Sequence, residues 1–273
     1  MIRFAQIAIA AGALVASMPA QAAEFVINTA AGTSNGSAIS NGTSYNNINY
    51  KVTSTDGKST VNVKASAWAR DLSGNFTAAK MVSWGSDGMG IYQTNEPTGG
   101  NLHQIDNVNG WEFLVLQFDQ AVSLQSAVLK SFQLSGRDYV DSDAFIARWT
   151  TSYAAGMSAS TMAGIENAMN SETWFNSNSD DYKATVSGSA ANGTLTQTQT
   201  QTYNLSPSKE GNVWIIGGSF NGPDWRNDAF KLNQIKVISA VPEPATWMTM
   251  ILGFGLVGAT VRRRRGSAKA ALA

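Results

Sequence analysis

Gly110 to Asp119, GWEFLVLQFD, is the stretch that decides the fold. From Glu112 to Phe118 it is apolar almost throughout, which marks a strand at the centre of a β-structure. Outward from it, short strand candidates follow one another, separated by turns of Gly, Asn, Ser and Asp. Before it come Glu24–Thr29, Asn49–Thr55, Thr60–Trp68, Lys80–Trp84 and Met89–Thr94. Asp56-Gly57-Lys58-Ser59 and Gly85-Ser86-Asp87-Gly88 join two pairs of these as hairpins. After it come Ser126–Leu134, Ala144–Trp149, Lys183–Ser187, Gly193–Leu205, Asn212–Phe220 and Asp228–Ser239. Thr194–Tyr203 alternates Thr with Gln and fits a long, solvated outer strand. Ser158–Asn170 breaks the pattern: Met162, Ile165, Ala168 and Met169 fall at helical spacing and predict one short helix. The expected fold is all-β, a two-sheet, jelly-roll-like sandwich over residues 24–240.

Composition agrees. Only 14% of the 273 residues are charged, and Gly, Asn, Ser and Thr are abundant. That suits a turn-rich extracytoplasmic protein better than a helical enzyme. The formal net charge of zero averages unlike segments. Of 19 basic and 19 acidic residues, Arg3, Arg262 to Arg265, Lys269 and Glu243 lie outside 24–240, leaving 13 against 18, a net charge of −5. A body of that sign has no basic stripe for phosphates, which excludes nucleic acid as a partner. The absence of cysteine excludes disulfides, thiolate nucleophiles and Cys-based metal sites.

The two ends read as addresses. Residues 1–23, MIRFAQIAIAAGALVASMPAQAA, form a signal peptide for Sec export: a short basic start, an apolar run, and a small-residue cleavage site after Ala22 or Ala23. At the other end, Ala245–Val261 is seventeen residues without a charge, roughly 25 Å as a helix, enough for a thin bilayer. Arg262, Arg263, Arg264 and Arg265 follow as a cytoplasmic stop, with residues 266–273 as a cytoplasmic tail. Gly253, Gly255 and Gly258 spell the dinucleotide-binding GxGxxG, but no strand precedes them and arginines follow. They read as small residues on a transmembrane helix.

Val241-Pro242-Glu243-Pro244, the run through Trp247 and Gly253-Phe254-Gly255, and the four arginines closely resemble the PEP-CTERM sorting signal, over 241–265. The same segment is also labelled an ice-binding protein C-terminal domain. The resemblance implies an exopolysaccharide-producing Gram-negative bacterium and a membrane-embedded exosortase that cuts near Pro242-Glu243-Pro244. It implies transient inner-membrane anchoring, then release to the cell surface, matrix or biofilm. His103-x-x-Asp106-Asn107, Phe113-x-x-x-x-Phe118-Asp119 and Asp141-x-Asp143 resemble the bodies of many such surface proteins, which are β-sandwiches mostly without an assigned activity.

Inside the body several residues could carry chemistry. Asp106, Asn107, Asp119, Asp138, Asp141, Asp143, Asp224 and Asp228 sit in oxygen-rich turns. One structural Ca²⁺ held by Asp141, Asp143 and Asp106 is the cofactor candidate, weighed against solvated turn aspartates; no DxDxDG loop is present. His103, the only histidine, reads as a turn residue bonded to its neighbours or as a general base lacking a visible partner. Glu112, Glu166, Glu172, Asp180 and Asp181 could serve a hydrolase, but no pattern selects two. Of the body tryptophans Trp68, Trp84, Trp111, Trp149, Trp174, Trp214 and Trp225, those in polar loops, Trp84, Trp174 and Trp225, are candidates for stacking on sugars. The expected function is a non-enzymatic, sorted surface protein that is structural or carbohydrate-associating. The alternative is a secreted, carboxylate-dependent polysaccharide hydrolase.

Overall fold

A computed structural model describes residues 22–73, 75–93, 103–132, 141–150, 152–153, 199–205, 210–218, 227–239 and 252–258. Fourteen strands run through it. The first seven are β1 (Glu24–Asn28), β2 (Thr33–Ser34), β3 (Ser37–Ala38), β4 (Ser44–Tyr45), β5 (Asn47–Thr53), β6 (Thr60–Arg70) and β7 (Phe76–Ser83). The rest are β8 (Met89–Tyr92), β9 (Ile105–Asp106), β10 (Trp111–Ser131), β11 (Ala144–Trp149), β12 (Gln199–Asn204), β13 (Gly211–Gly218) and β14 (Ala229–Ser239). The all-β expectation holds, and Ala23–Ala240 forms one compact unit.

The architecture differs from the two separate sheets of a jelly roll. All fourteen strands belong to one hydrogen-bonded network, and five of them, β10-β14-β8-β7-β6, close into a ring because β10 also pairs with β6. The cause is β10. The sequence predicts two strands here, Glu112–Phe118 and Ser126–Leu134, with 119–125 between them, whereas the backbone stays extended for 21 residues. Its first half pairs with β13 on one side and β6 on the other. Its second half pairs with β12 and β14. The register shifts between Gln117 and Val122 against β13, and again between Leu124 and Ser126 against β14. Such bulges bend a strand and increase its twist, which lets one strand serve two parts of a sheet. Asp119, Gln120 and Ala121 at the bend are exposed, and Asp119 accepts from the N–H of Asn62 at 3.1 Å.

The period-two rule then places the core. Leu114, Leu116 and Phe118 point into the main cluster with Phe25, Ile27, Ile48, Met81 and Phe230. Phe113, Val115 and Gln117 face the other way and are buried too, as the apolar run requires. Phe76 packs edge-on against Phe113 at 5.8 Å, and Gln117 Nε2 donates to the Ser152 carbonyl at 3.0 Å. Gly110 starts the strand with φ +132°, and a Cβ there would lie 2.3 Å from the Arg70 carbonyl oxygen. Only glycine fits both conditions.

β12 covers the end of the polar Thr/Gln stretch, from Gln199, while 193–198 lie outside the described residues; among the described residues it pairs with β10 alone, with Tyr203 buried. The helix expected over 158–170 and the strand expected over 183–187 lie outside the described residues, as do residues 1–21 of the signal peptide. At the C-terminus only 252–258 is described, as helix. Among the described residues no helix is long and apolar enough to cross a membrane.

Trp214 locks the bend of β10: it is fully buried, and its Nε1 donates to the Val122 carbonyl at 3.2 Å. Trp214→Ala is expected to cost about 3–5 kcal/mol and to lower the melting temperature by roughly 10 °C. A loss below about 1 kcal/mol in thermal unfolding would show that the bend is held elsewhere.

Candidate functional site

Two of the three residues proposed as metal ligands meet. Asp141 and Asp143 lie just before β11, with Asp228 just before β14, and one carboxylate oxygen of each falls within 4.8 Å of the others. All three side chains are buried. The chain returns from 85 residues away to complete the group, so Asp228 becomes a partner only through the β-network. Its carboxylate is held on both sides: the Asp143 N–H donates to Oδ1 at 3.0 Å and Asn107 Nδ2 donates to Oδ2 at 2.7 Å. Asn107 in turn accepts from the Asp228 N–H at 2.9 Å. Asp141 accepts from the Ser142 N–H at 2.8 Å, and its carbonyl accepts from the Ala229 N–H at 2.9 Å. Asp106 is not in the group. Its Oδ1 accepts from the Val108 N–H at 3.0 Å, and its own N–H donates to Glu112 at 3.2 Å.

The electrostatics follow from the geometry. At about 5 Å, two ionised carboxylates repel by roughly 3 kcal/mol at an effective dielectric of 20. A hard divalent cation shared among them reverses that cost, and carboxylate, amide and carbonyl oxygens are the ligands Ca²⁺ takes. Tyr203 feels the same field. Burial first, then the three aspartates, push its hydroxyl up to about 12, while its hydrogen bond to Ser142 Oγ at 3.0 Å works the other way.

Of the carboxylates considered for hydrolysis, Glu112 is buried and accepts from Gln93 Nε2 at 2.9 Å and from the Asp106 N–H. Glu166, Glu172, Asp180 and Asp181 lie outside the described residues, as do Asp138, Asp224, Trp174 and Trp225. So do Pro242, Glu243 and Pro244 and the four arginines.

The two ends of the body lie side by side. β1 pairs antiparallel with β14, Glu24 opposite Ile238. The Ser239 N–H donates to the Ala23 carbonyl at 2.9 Å, the Ala23 N–H donates to Ser239 Oγ at 3.2 Å, and Lys236 pairs with Glu24 at 2.5 Å. Residue 240, where the last strand has just ended, is also where a match to a known family begins. Residues 240–265 match the family described as the PEP-CTERM protein-sorting motif. The chain carries a PEP-CTERM sorting motif at 240–265. The motif marks it for export and for processing by an exosortase. Comparison with curated proteins and with solved structures gives no match.

The body holds a second cluster, at Trp84. This sequence-predicted residue sits half-buried at the turn between β7 and β8. Its ring stacks on His103 at 6.3 Å with 15° between planes, and Tyr92 meets His103 edge-on at 4.6 Å. His103 has φ +71°, in the left-handed region, and burial first, then Lys231, hold its pKa below the usual histidine value. Lys231 is only 3% exposed, with Nζ 3.7 Å from the Phe132 ring centre and 4.9 Å from that of Trp84. Directly opposite on β10 stands Lys130, which is ion-paired with Asp87. A lysine inside the run Ala229-Phe230-Lys231-Leu232 was the sequence signal for this site, but nothing local named its neighbours.

Burial holds the Lys231 ammonium down at about 8, with Lys130 adding to the effect and Asp87 opposing it. The folded state therefore binds fewer protons than the unfolded chain between about pH 8 and 10.5. The cost of charging Lys231 is fully present below pH 8 and fades as pH rises through that window. Lys231→Met should be more stable than the parent by about 1–3 kcal/mol at pH 7, after the lost ring contacts are allowed for. Paired thermal melts should show the advantage shrinking towards pH 10.5. A variant less stable at pH 7, with no pH trend, would refute this.

Proposed function

We propose that this chain is a non-enzymatic structural protein of the cell surface or extracellular matrix, associated with exopolysaccharide in a biofilm-forming Gram-negative bacterium. The observation that carries it is the PEP-CTERM motif placed directly after the last core strand. In this reading the Sec machinery exports the chain and the signal peptide is removed after Ala22 or Ala23. The C-terminal helix then holds the chain in the inner membrane until an exosortase cuts near Pro242-Glu243-Pro244. Two features support it. The helix at 252–258 exposes Leu252, Phe254, Leu256 and Val257, the kind of surface that is covered by lipid or protein. Both cleavage points also lie within a few residues of the Ala23–Ser239 hydrogen bonds, so both cuts leave the strands intact.

The acidic group takes a structural Ca²⁺ in this reading, with Asp228 replacing Asp106 among the ligands. Its oxygens converge on one buried point, whereas glycoside hydrolysis needs two carboxyl groups facing each other across a substrate, about 5–9.5 Å apart. This favours an ion site over the hydrolase alternative.

Two experiments test the proposal. In a host with an exosortase, Pro242→Ala combined with Pro244→Ala should leave the full-length form in the membrane fraction; unchanged processing would sink the sorting role. Millimolar Ca²⁺ should raise the melting temperature by roughly 5–10 °C if it reaches about 100 times the dissociation constant, and Asp228→Asn should abolish the shift. Equal melting of parent and variant with and without Ca²⁺ would remove the ion.

A further inference from the structure

The cluster at Trp84 and Lys231 has a shortage of one kind. Trp84 Nε1 is a buried donor with no hydrogen-bond partner among the described residues. Among the described residues, Lys231 Nζ meets two aromatic rings and no acceptor. Both groups only donate, so what would complete them only accepts. Lys130 adds a second positive charge across the strand pair, while Asp87 contributes one negative charge, leaving a local excess of +1. The Asp87 and Lys130 side chains beside it are 42% and 22% exposed.

The backbone around it is built for close approach. Gly88 has φ +103°, and a Cβ there would lie 2.6 Å from the Leu232 carbonyl oxygen. A Cβ on Gly90 would lie 1.8 Å from that of His103. At this seam β8 pairs with β14 through Leu232 and Met89 alone. Asn233 Nδ2 clamps the turn by donating to the Ser86 carbonyl at 2.7 Å. The two unsatisfied donors thus stand on rigid neighbours, as binding groups must.

We propose that Lys231 Nζ and the Trp84 indole N–H, supported by Lys130, bind a carboxylate carried on a ring-shaped ligand such as a uronic acid. One carboxylate oxygen accepts from the ammonium and the other from the indole. A free sugar acid and a uronate unit of a polymer share this chemistry. The carboxylate site rests on the geometry; placing it on a polysaccharide rests on the function proposed above.

Isothermal titration of the full chain in mild detergent tests both layers, with glucuronate, oligogalacturonate, acetate and neutral glucose as probes. Glucuronate is expected to bind one site per chain and glucose not at all. Lys231→Met should weaken glucuronate about 10- to 100-fold, the effect of losing a hydrogen bond to a charged group. Trp84→Phe, which keeps a ring but removes the donor, should weaken it several-fold, and Asp87→Asn should tighten it by removing a competing carboxylate. Native melting curves of the variants secure the comparison. Tighter binding of the oligomer than of glucuronate assigns the site to a polymer; equal binding assigns it to a free acid and removes the polysaccharide. No carboxylate binding at millimolar concentration, or binding indifferent to Lys231→Met and Trp84→Phe, overturns the site.

Discussion

Strand β10 bends, and the rest of the body depends on how. A straight strand of 21 residues would run roughly 70 Å, far beyond one sheet of ordinary size. Register shifts after Gln117 and Leu124 turn it instead, so its halves face different partners: β6 and β13 first, β14 and β12 second. The bend is what permits β6 and β14 to sit at the two ends of one strand and the ring to close through β7 and β8. Closure gives each of the five ring strands a neighbour on both sides, and so removes free edges within the ring, a main aggregation hazard in β-proteins. It also shuts in one apolar cluster without help from disulfides, which the chain cannot form.

Closure is uneven, and the chemistry gathers where strand meets strand least. On the β14 side, β8 contributes a single register pair, and the short β9 sits beside it. Around β9 the backbone must satisfy its polar groups by side chains, which explains why Asn107, Glu112 and Asp228 all accept or donate there. The acidic group grows out of this polar patch. The lysine cluster occupies the other flank of β14, where Lys231 enters an otherwise apolar strand. An acidic group whose Asp228 lies just before β14 and a positive, aromatic-lined group on β14 thus stay apart, with the buried Ala229 and Phe230 between Asp228 and Lys231.

The pairing of β1 with β14 gives the sorting signal its setting. The last core strand ends at Ser239, bonded to Ala23, and the Pro-Glu-Pro follows after two residues. Prolines cannot donate to a ladder and push the preceding residue to extended backbone, so the strand cannot run on through them. The last described core strand therefore ends before the signal begins.

Much of this was legible in the chain. The apolar run 112–118 declared a strand buried on both faces, Gly/Asn/Asp turns marked most of the others, and the Pro-Glu-Pro, apolar run and arginines declared the address. These are local patterns, and local physics writes them: alternation, turn chemistry and the charge of a stop sequence. The closed ring was not legible, because the sequence separates the strands 112–118 and 126–134 while the backbone between them bends without breaking. Nor was the acidic trio, since Asp228 reaches Asp143 only after 85 residues, or the place of Lys231, whose rings come from a turn at Trp84 and a strand end at Phe132. Sequence by itself determined that the chain is β-rich, cysteine-free and sorted; only the tertiary structure decided which distant side chains meet, because pairing register, not residue identity, brings them together.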